Sequence, residues 1–446
     1  MRARSKLISY SLVVAVIASL GGFLFGYNTS VIAGALLFLV NDLGLTTLQE
    51  ELVVSTLLIG ALFGAVGGGF LNDALGRKKT LFGTAFLFFI GTLCLTMSRD
   101  FDELLVGRFL SGFGIGLASV TVPLYIAEIA PPEHRGFYVS LNQLMITIGV
   151  LVAYIVSYLY AERQEWREMF AFGFIPLAVQ FVGLFFIPET PSWLITHKQS
   201  AKAEKILHRL RVANAKEYLV EIEKKEDAPQ DKRWSALFKP RMRKAFLIGI
   251  GMSVFQQITG INAVIYYAPR IFQMAGYQEA EMATFVTMLL GAVNMAMTVV
   301  ALWLIDRVGR RPLLIIGLSG MSVSLLVLGY AFSGRIGEAG VLAVIALMTY
   351  ISFFAISLGP IAWLIISEIY PLGVRGRAMG AATFANWGCN YLVSLTFLSL
   401  VSSLGAGLTF WLYMLISLVG LWFVYKMLPE TKGKTFEQIQ RFWKKS

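Results

Sequence analysis

Asp73-Ala-Leu-Gly-Arg-Lys-Lys-Thr-Leu81 and Asp306-Arg-Val-Gly-Arg-Arg-Pro-Leu-Leu314 are two versions of one short basic turn, and they decide the fold of this 446-residue chain. They lie 233 residues apart, about half the chain length. Two more pairs of motifs recur in the same order at nearly the same distance: Ala127–Pro131 with Ser367–Pro371, and Pro188–Thr190 with Pro429–Thr431. Three ordered pairs predict an internal duplication.

The segments that flank these turns are long and apolar. Hydrophobic residues make up 57% of the chain and charged residues 15%, whereas a soluble globular protein has about 45–50% and about 25%. Runs such as Leu52–Leu71 and Phe285–Leu304 approach the roughly 20 residues that a membrane-spanning helix requires. We therefore predict an all-α membrane protein with twelve spans, at roughly 8–40, 52–72, 80–98, 102–125, 136–160, 169–188, 244–274, 282–305, 312–333, 339–370, 375–402 and 406–428.

A charged segment divides the twelve spans into two groups of six. It carries runs such as Glu221–Asp227, and in Ala201–Leu210 the apolar residues have helical spacing. Because six is even, the two repeats are parallel and a central pathway is expected between them. The predicted domains are an N-terminal six-helix bundle at 1–188, a cytoplasmic helical loop at 189–243, a C-terminal six-helix bundle at 244–428 and a cytoplasmic tail at 429–446.

The net charge of +11 is distributed unevenly along the chain. With these spans, 32 of the 38 Lys and Arg residues fall at the N-terminus, in the even-to-odd loops and in the C-terminal tail. This positive-inside pattern predicts a multi-pass protein of the cell membrane with both termini in the cytoplasm. Cationic loops that face an anionic lipid surface account for the charge, so we expect no nucleic-acid partner.

The reactive residue types give no sign of an enzyme or a metal site. Cys94 and Cys389 lie in predicted spans far apart in sequence, so they imply no disulfide framework. His134, His197 and His208 lie in predicted cytoplasmic loops, and the sequence shows no buried carboxylate pair, Ser/His arrangement or metal-ligand cluster. We expect no catalysis, no metal and no cofactor.

Acidic residues accompany the basic turns at the cytoplasmic ends of the predicted spans. Acids at these positions can form ion pairs with neighbouring Arg side chains and so lock the two halves together on that side. The simpler interpretation is a solvated charged surface. The predicted cytoplasmic latch consists of Arg77, Glu128, Arg135, Glu189, Arg310, Arg311, Glu368, Arg375 and Glu430.

Few charges lie inside the predicted spans, but amide side chains are frequent there. Arg108 is the only basic residue well inside a span, and no Asp or Glu lies deep in one. Since an amide offers hydrogen-bond donors and acceptors, this lining suits a neutral solute with many hydroxyl groups. Helix–helix contacts are the simpler interpretation of any single amide. The amides are Asn28, Asn142, Gln143, Gln256, Gln257, Asn262, Asn294, Asn386 and Asn390.

Two Trp residues, Trp363 and Trp387, lie in predicted spans of the second half. Trp387 directly follows Asn386, and the face of a Trp ring can pack against the C–H face of a sugar while its N–H donates to a hydroxyl. The alternative is an aromatic belt at the membrane interface. The mid-span position of Trp387 favours a role in the pathway.

Two candidate helix breaks lie close to these residues. Gln256, Gln257 and Asn262 do not share one stripe of an ideal helix. Thr259-Gly260 lies between them, and a loosened helix at this point would let the three amides converge. Gly359-Pro360 is the second candidate break.

Eight motifs along the chain resemble, in order, those of the sugar porter family of the major facilitator superfamily. They are Gly26–Thr29, Gly76–Lys78, Arg108-Phe109, Pro123–Glu128, Pro188–Pro191, Gln256–Asn262, Asp306–Arg311 and Gly359–Trp363. Nearly the whole chain is covered, and bacterial hexose and pentose porters and animal glucose facilitators are the nearest in pattern. The resemblance implies the twelve-helix major facilitator fold, alternating access around one central monosaccharide, and a cytoplasmic latch formed by the Arg/Glu clusters.

The same resemblance assigns the sugar contacts residue by residue. They fall on Gln143, Gln256, Gln257, Asn262, Asn294, Trp363, Asn386 and Trp387. Animal facilitators carry an acid near the start of the tenth span, where this chain has Ala355, and this departure is expected to alter affinity or kinetics. The resemblance favours glucose, with xylose and galactose as alternatives because these sugars differ only by single hydroxyls or one CH₂OH group.

A second departure concerns the source of energy. Proton-coupled sugar porters carry an Asp at the position of Asn28, paired with the Arg that matches Arg108. Because an amide does not titrate in the relevant pH range, we predict that the protein carries sugar by facilitated diffusion. We expect it to be a monomer. Proton symport through Glu128 or another acid is the alternative. A non-transporting sugar sensor is a third interpretation, against which the short tail after Pro429 argues.

Overall fold

The computed structural model of the chain describes residues 9–131, 134–210, 234–238, 240–333, 339–370 and 372–434. Across these ranges the chain is helical and contains no β-strand, which confirms the predicted all-α class. The α-helices in chain order are α1 Ser9–Leu43, α2 Thr47–Leu75, α3 Arg77–Met97, α4 Phe101–Ile129, α5 Arg135–Leu159, α6 Trp166–Ala171, α7 Phe174–Phe186, α8 Pro191–Thr196, α9 Ser200–Arg209, α10 Pro240–Ile258, α11 Ile261–Met274, α12 Ala280–Val308, α13 Arg310–Ala331, α14 Ala339–Ile356, α15 Leu358–Ile369, α16 Leu372–Leu404 and α17 Ala406–Met427.

Twelve helical segments of the described chain are long and apolar enough to cross a membrane, as predicted. Three of them combine two helices, namely α6 with α7, α10 with α11, and α14 with α15. The short helices α8 and α9 and a 3-10 turn at Trp234–Phe238 lie in the predicted cytoplasmic loop. The charged run Glu221–Asp227 and most of the predicted tail lie outside the described residues.

The second span begins earlier than its apolar run suggests. Thr46 and Gln49 form a capping box, in which the Thr46 backbone N–H donates to Gln49 Oε1 at 2.9 Å and the Gln49 N–H donates back to Thr46 Oγ1 at 3.4 Å. The cap starts α2 at Thr47, so Glu50 and Glu51 lie inside the helix, 6% and 0% exposed. The sequence places no Asp or Glu deep in a span, and these two acids lie near the start of α2, but their side chains are buried there.

Both predicted helix breaks are present. Gly260 has φ +94° and separates α10 from α11, a left-handed conformation that a glycine adopts without strain. The second break lies at Ser357, with φ −128° and ψ −98°, two residues before Gly359. Pro360 then occupies the first turn of α15, where a missing N–H costs no helical hydrogen bond.

The chain folds into two compact units. Unit 1 comprises Met1–Thr29, Ile59–Val150 and Phe170–Pro229, and unit 2 comprises Ser30–Leu58, Leu151–Met169 and Gln230–Ser446. In unit 1 α3 packs on α4, and in unit 2 α13 packs on α14 and α17 while α10 packs on α16. These units cut across the first-half helices, and the predicted division at 188 and 244 stays a prediction.

Candidate functional site

Four amide side chains meet at the end of α10 in unit 2. Gln256 and Gln257 occupy the last turn of α10, and Asn262 opens α11 just beyond the Gly260 break. Asn386 approaches them from the middle of α16. Gln257 Nε2 donates to Asn386 Oδ1 at 3.1 Å, and Asn262 Nδ2 donates to Gln257 Oε1. The break therefore brings together the amides that an ideal helix would separate.

The Gln256 side chain links this amide cluster to the second helix break. Its Nε2 donates to the carbonyl oxygens of Leu358 and Gly359 at 3.0 and 2.9 Å. Its Oε1 accepts from Asn386 Nδ2 at 2.7 Å. Gln256 is 4% exposed and Gln257 7%. These amides satisfy one another, so a hydroxyl group that binds here has to replace existing hydrogen bonds.

The other residues predicted for the site in unit 2 lie on three helices. Asn294 lies on α12 and is 7% exposed, Trp363 lies on α15 and is half-buried, and Trp387 follows Asn386 on α16 and is 5% exposed. Within the described part of the chain, the side chains of Asn294 and Trp363 make no hydrogen bond. Their polar groups are available to a ligand.

The cluster extends along α16 to Asn390, one of the amides noted in the sequence, and to Tyr266 and Ser394, which sequence reasoning missed. Asn390 lies one helical turn from Asn386 on α16, and its Nδ2 donates to the Tyr266 hydroxyl at 3.3 Å. Ser394, a further turn along, donates its hydroxyl to Asn390 Oδ1 at 3.2 Å. Asn386, Asn390 and Ser394 follow one another at intervals of four residues, and this spacing predicts that they share one polar face of the helix.

Unit 1 holds the remaining predicted contact and the coupling position. Gln143 lies half-buried on α5. Asn28 Nδ2 donates to the Leu24 carbonyl of its own helix at 2.9 Å, and Arg108 Nη1 donates to the Asn28 backbone carbonyl at 3.0 Å. Arg108 is 1% exposed, so its charge is buried against a neutral backbone group at this contact.

The basic turn of the first half is held by two acids. Arg77 Nη2 forms an ion pair with Glu128 Oε1 at 3.0 Å. Glu189 accepts the backbone N–H groups of Arg77 and Lys78 at 3.0 and 3.1 Å. Its carboxylate thereby caps the N-terminus of α3, where four N–H groups have no partner inside the helix.

The second half repeats this arrangement. Arg310 Nη2 pairs with Glu368 Oε1 at 3.2 Å, and Glu430 accepts the backbone N–H groups of Arg310 and Arg311 at 3.2 and 3.1 Å. Burial favours a higher pKa for Glu430, but hydrogen bonds from the backbone N–H groups, including that of Lys432, outweigh it and lower the pKa below the usual value. Duplicated motifs therefore build duplicated contacts.

These clusters cover only part of the predicted cytoplasmic latch. Each ion pair described above joins two residues of the same half of the sequence. Arg311 Nη2 donates to the Tyr425 carbonyl at 2.9 Å, Arg135 is exposed, and the Arg375 side chain lies outside the described residues. A latch between the halves stays a prediction. Sequence reasoning missed the capping role of Glu189 and Glu430.

Replacing Glu430 with Gln tests this cap. We expect a loss of about 1 kcal/mol in unfolding free energy at neutral pH, because the charged cap of α13 is lost. Since the folded-state pKa is lowered, the wild-type contribution is present above the unfolded pKa and disappears as the pH falls through the folded pKa. Thermal unfolding of the two proteins in detergent should therefore converge at acidic pH.

Glu279→Gln is the matched control for this measurement. Glu279 precedes α12, but its side chain makes no capping hydrogen bond. Its replacement should change the unfolding midpoint little at any pH. An equal effect of both substitutions would show that the carboxylate of Glu430 acts only through general charge.

Comparisons with known proteins identify the family. Residues 14–443 match the family described as "Sugar (and other) transporter". The galactose-proton symporter of Escherichia coli is 39% identical over 434 residues, 96% of this chain and 93% of that protein. The glucose transporter GlcP of Staphylococcus epidermidis is 36% identical over 427 residues, 95% of each protein. The inward-open structure of the Escherichia coli xylose transporter XylE matches with a TM-score of 0.85 and 33% identity, over 97% of this chain and 100% of that chain. This chain therefore belongs to the sugar porter family of the major facilitator superfamily, whose members are multi-pass membrane proteins that transport sugars.

Proposed function

We propose that this protein carries a monosaccharide, with glucose as the first candidate, across the cell membrane by alternating access. The observation that carries the proposal is the amide cluster of Gln256, Gln257, Asn262 and Asn386 in unit 2. The cluster offers donors and acceptors without a charged group, which suits hydroxyl groups and not an organic ion. Glucose is favoured by the pattern shared with glucose facilitators and by the similarity to GlcP.

The proposal includes transport down the sugar gradient without proton coupling. Asn28 has no titratable proton, and its amide nitrogen is bonded within its own helix. Arg108 donates to the Asn28 backbone carbonyl, so no carboxylate at position 28 is needed for this contact. A coupled cycle needs a group that binds and releases a proton once per turnover.

Counterflow in proteoliposomes tests both parts of the proposal. Radiolabelled glucose should enter vesicles preloaded with unlabelled glucose, and unlabelled glucose, xylose and galactose are then compared as competitors. The flux should be the same with and without a pH gradient, and a protonophore should leave it unchanged. Failure of every sugar to drive counterflow would contradict transport, and loss of sugar accumulation on adding a protonophore would contradict uniport.

Proton symport is the second candidate, because the similar galactose transporter is named a proton symporter. The structure supplies buried acids that such a cycle could use, since Glu50 and Glu51 lie inside α2. Uphill accumulation of glucose driven by an imposed pH gradient would favour this candidate over uniport.

Replacing Asn28 with Asp should create a pH-sensitive step. A carboxyl group would then belong to the residue whose backbone carbonyl accepts from Arg108, and a single titrating group that controls a rate changes it up to about tenfold per pH unit. We expect glucose counterflow by the variant to vary with pH while the parent protein stays constant. Asn41→Asp, at the exposed end of the same helix, is the control. Equal pH profiles for parent and Asn28→Asp would contradict the assignment of position 28.

A further inference from the structure

Two buried acids at the start of α2 are not used by the proposed sugar site. Glu50 and Glu51 are 6% and 0% exposed, and both belong to unit 2. The capping box at Thr46 and Gln49 holds them inside the helix. Burying a carboxylate costs free energy unless a charged or hydrogen-bonding partner compensates for the lost water. The partners of these two acids therefore show which parts of the structure they join.

Each acid reaches a helix of the second half of the sequence. Glu50 forms an ion pair with Arg270 Nη2 on α11, with both carboxylate oxygens at 3.3 Å. Glu51 accepts the Ser399 backbone N–H at 2.7 Å and the Ser399 hydroxyl at 2.6 Å on α16. Two neighbouring residues of α2 therefore form hydrogen bonds with two different helices, α11 and α16.

A third contact joins α5 to α11. Tyr154 donates its hydroxyl to the Ile265 carbonyl at 2.7 Å. That carbonyl has no partner four residues ahead, because Pro269 has no N–H. Tyr154 is 1% exposed, so it fills a hydrogen bond that the helix itself leaves open.

The two carboxylate contacts cluster at one end of their helices. Glu50 and Glu51 lie in the first turns of α2, Arg270 lies in the last turns of α11, and Ser399 lies near the end of α16. The charge distribution predicts that these ends face the extracellular side. Tyr154 of α5 adds a contact at Ile265, five residues before Arg270 on α11, so helices of the first and second halves are also joined further from that end.

We propose that the contacts Glu50–Arg270, Glu51–Ser399 and Tyr154–Ile265 form an outer latch, which holds the extracellular side closed and breaks when the pathway opens to that side. The proposal rests on transport by alternating access. In the closed state the buried carboxylates keep their partners, and in the open state water replaces those partners. The strength of the latch therefore sets the fraction of molecules that are open to the outside.

A cysteine placed beneath the latch measures this opening directly. Ser394 is 0% exposed and lies five residues, about 7.5 Å, inside Ser399 on α16. The probe is Ser394→Cys in a background in which Cys94 and Cys389 are replaced by Ala. Its rate of modification by a membrane-impermeant maleimide, added outside intact cells, reports how often the outer side opens.

Weakening the latch should raise this modification rate. We expect Glu51→Gln and Arg270→Gln each to raise it about tenfold, because each change removes a charged hydrogen-bond partner at a partly buried contact. Glu281→Gln, which removes an exposed carboxylate in the first turn of α12, should leave it unchanged. The exchange Glu50→Arg with Arg270→Glu should return the rate toward that of the parent.

A second probe separates latch opening from general loosening. Ser322 is 5% exposed in the middle of α13, and Ser322→Cys in the same background should stay slow in every variant. Unchanged rates at Ser394→Cys, or equal rises at both probes, would overturn the latch. The labelling needs no sugar, so a response at Ser394→Cys without glucose counterflow would contradict the proposed function and leave the latch standing.

Discussion

Replacing Gln256 with Ala should reduce glucose counterflow about 100-fold, because each buried polar partner that it leaves unsatisfied costs about 1–3 kcal/mol. The Gln256 Nε2 donates hydrogen bonds to the carbonyls of Leu358 and Gly359, and its Oε1 accepts hydrogen bonds from the amides of Gln257 and Asn386. The substitution therefore removes a proposed sugar contact and also the hydrogen bonds that hold the start of α15 against α10.

Two measurements separate these effects. Protection of the purified protein by glucose against thermal unfolding reports binding, while counterflow reports the complete cycle. Gln256→Glu keeps the acceptor for Asn386 but places a carboxylate oxygen against two carbonyl oxygens, so it should lose both binding and counterflow. Loss of counterflow with undiminished protection by glucose would place Gln256 in the conformational change and not in the sugar site.

Gln273→Ala is the matched control for this position. Gln273 is a half-buried amide of the same unit on α11, and its Nε2 donates to the Gln278 carbonyl at 3.3 Å. It lies outside the amide cluster, so its replacement should change counterflow less than about twofold, as expected for substitutions away from special sites. A comparable loss in both variants would contradict a sugar site at the end of α10.

The architecture of this protein is predictable from its sequence because hydrophobic length and repeated motifs act over long stretches. The repeated turns at Gly76 and Gly309 predict that both halves carry the same Arg/Glu cluster, although the observed ion pairs lie within each half, and Thr259-Gly260 predicts the break between α10 and α11. These signals depend on residue type and spacing alone. They hold whatever the neighbouring helices are, and so sequence reasoning is reliable here.

The contacts made by individual side chains are less predictable. Hydropathy averaged over a span places Glu50 and Glu51 in a loop, whereas the capping box at Thr46 draws them into α2, where partners distant in sequence satisfy them. The sequence suggests that Glu189 and Glu430 are ion-pair partners, yet their carboxylates accept hydrogen bonds from backbone N–H groups at the starts of helices. Such choices depend on distances between helices, which no local pattern records.

Replacing Gly260 with Ala should destabilise the protein by about 2–5 kcal/mol, from left-handed backbone strain of about 1–2 kcal/mol and from overpacking. Gly260 has φ +94°, and an added Cβ would lie 2.8 Å from the Tyr413 ring. Relief of this overlap would move α11 away from α17 and shift Asn262 relative to Gln257. We therefore expect a lower unfolding midpoint in detergent together with weaker protection by glucose.

Gly276→Ala isolates the backbone part of this cost. Gly276 has φ +113°, but an added Cβ meets no atom within 4 Å, so only strain of about 1–2 kcal/mol is expected there. The remaining cost at Gly260 should vanish when Tyr413 is also replaced by Ala, because the two changes are in direct contact and their effects do not add. Equal destabilisation by the two glycine substitutions, or no recovery in the Tyr413→Ala background, would show that the Gly260 break does not depend on close packing with α17. A break held by close packing keeps the two ends of the span in one fixed geometry, and this is the condition under which Gln257 and Asn262 can meet the same ligand.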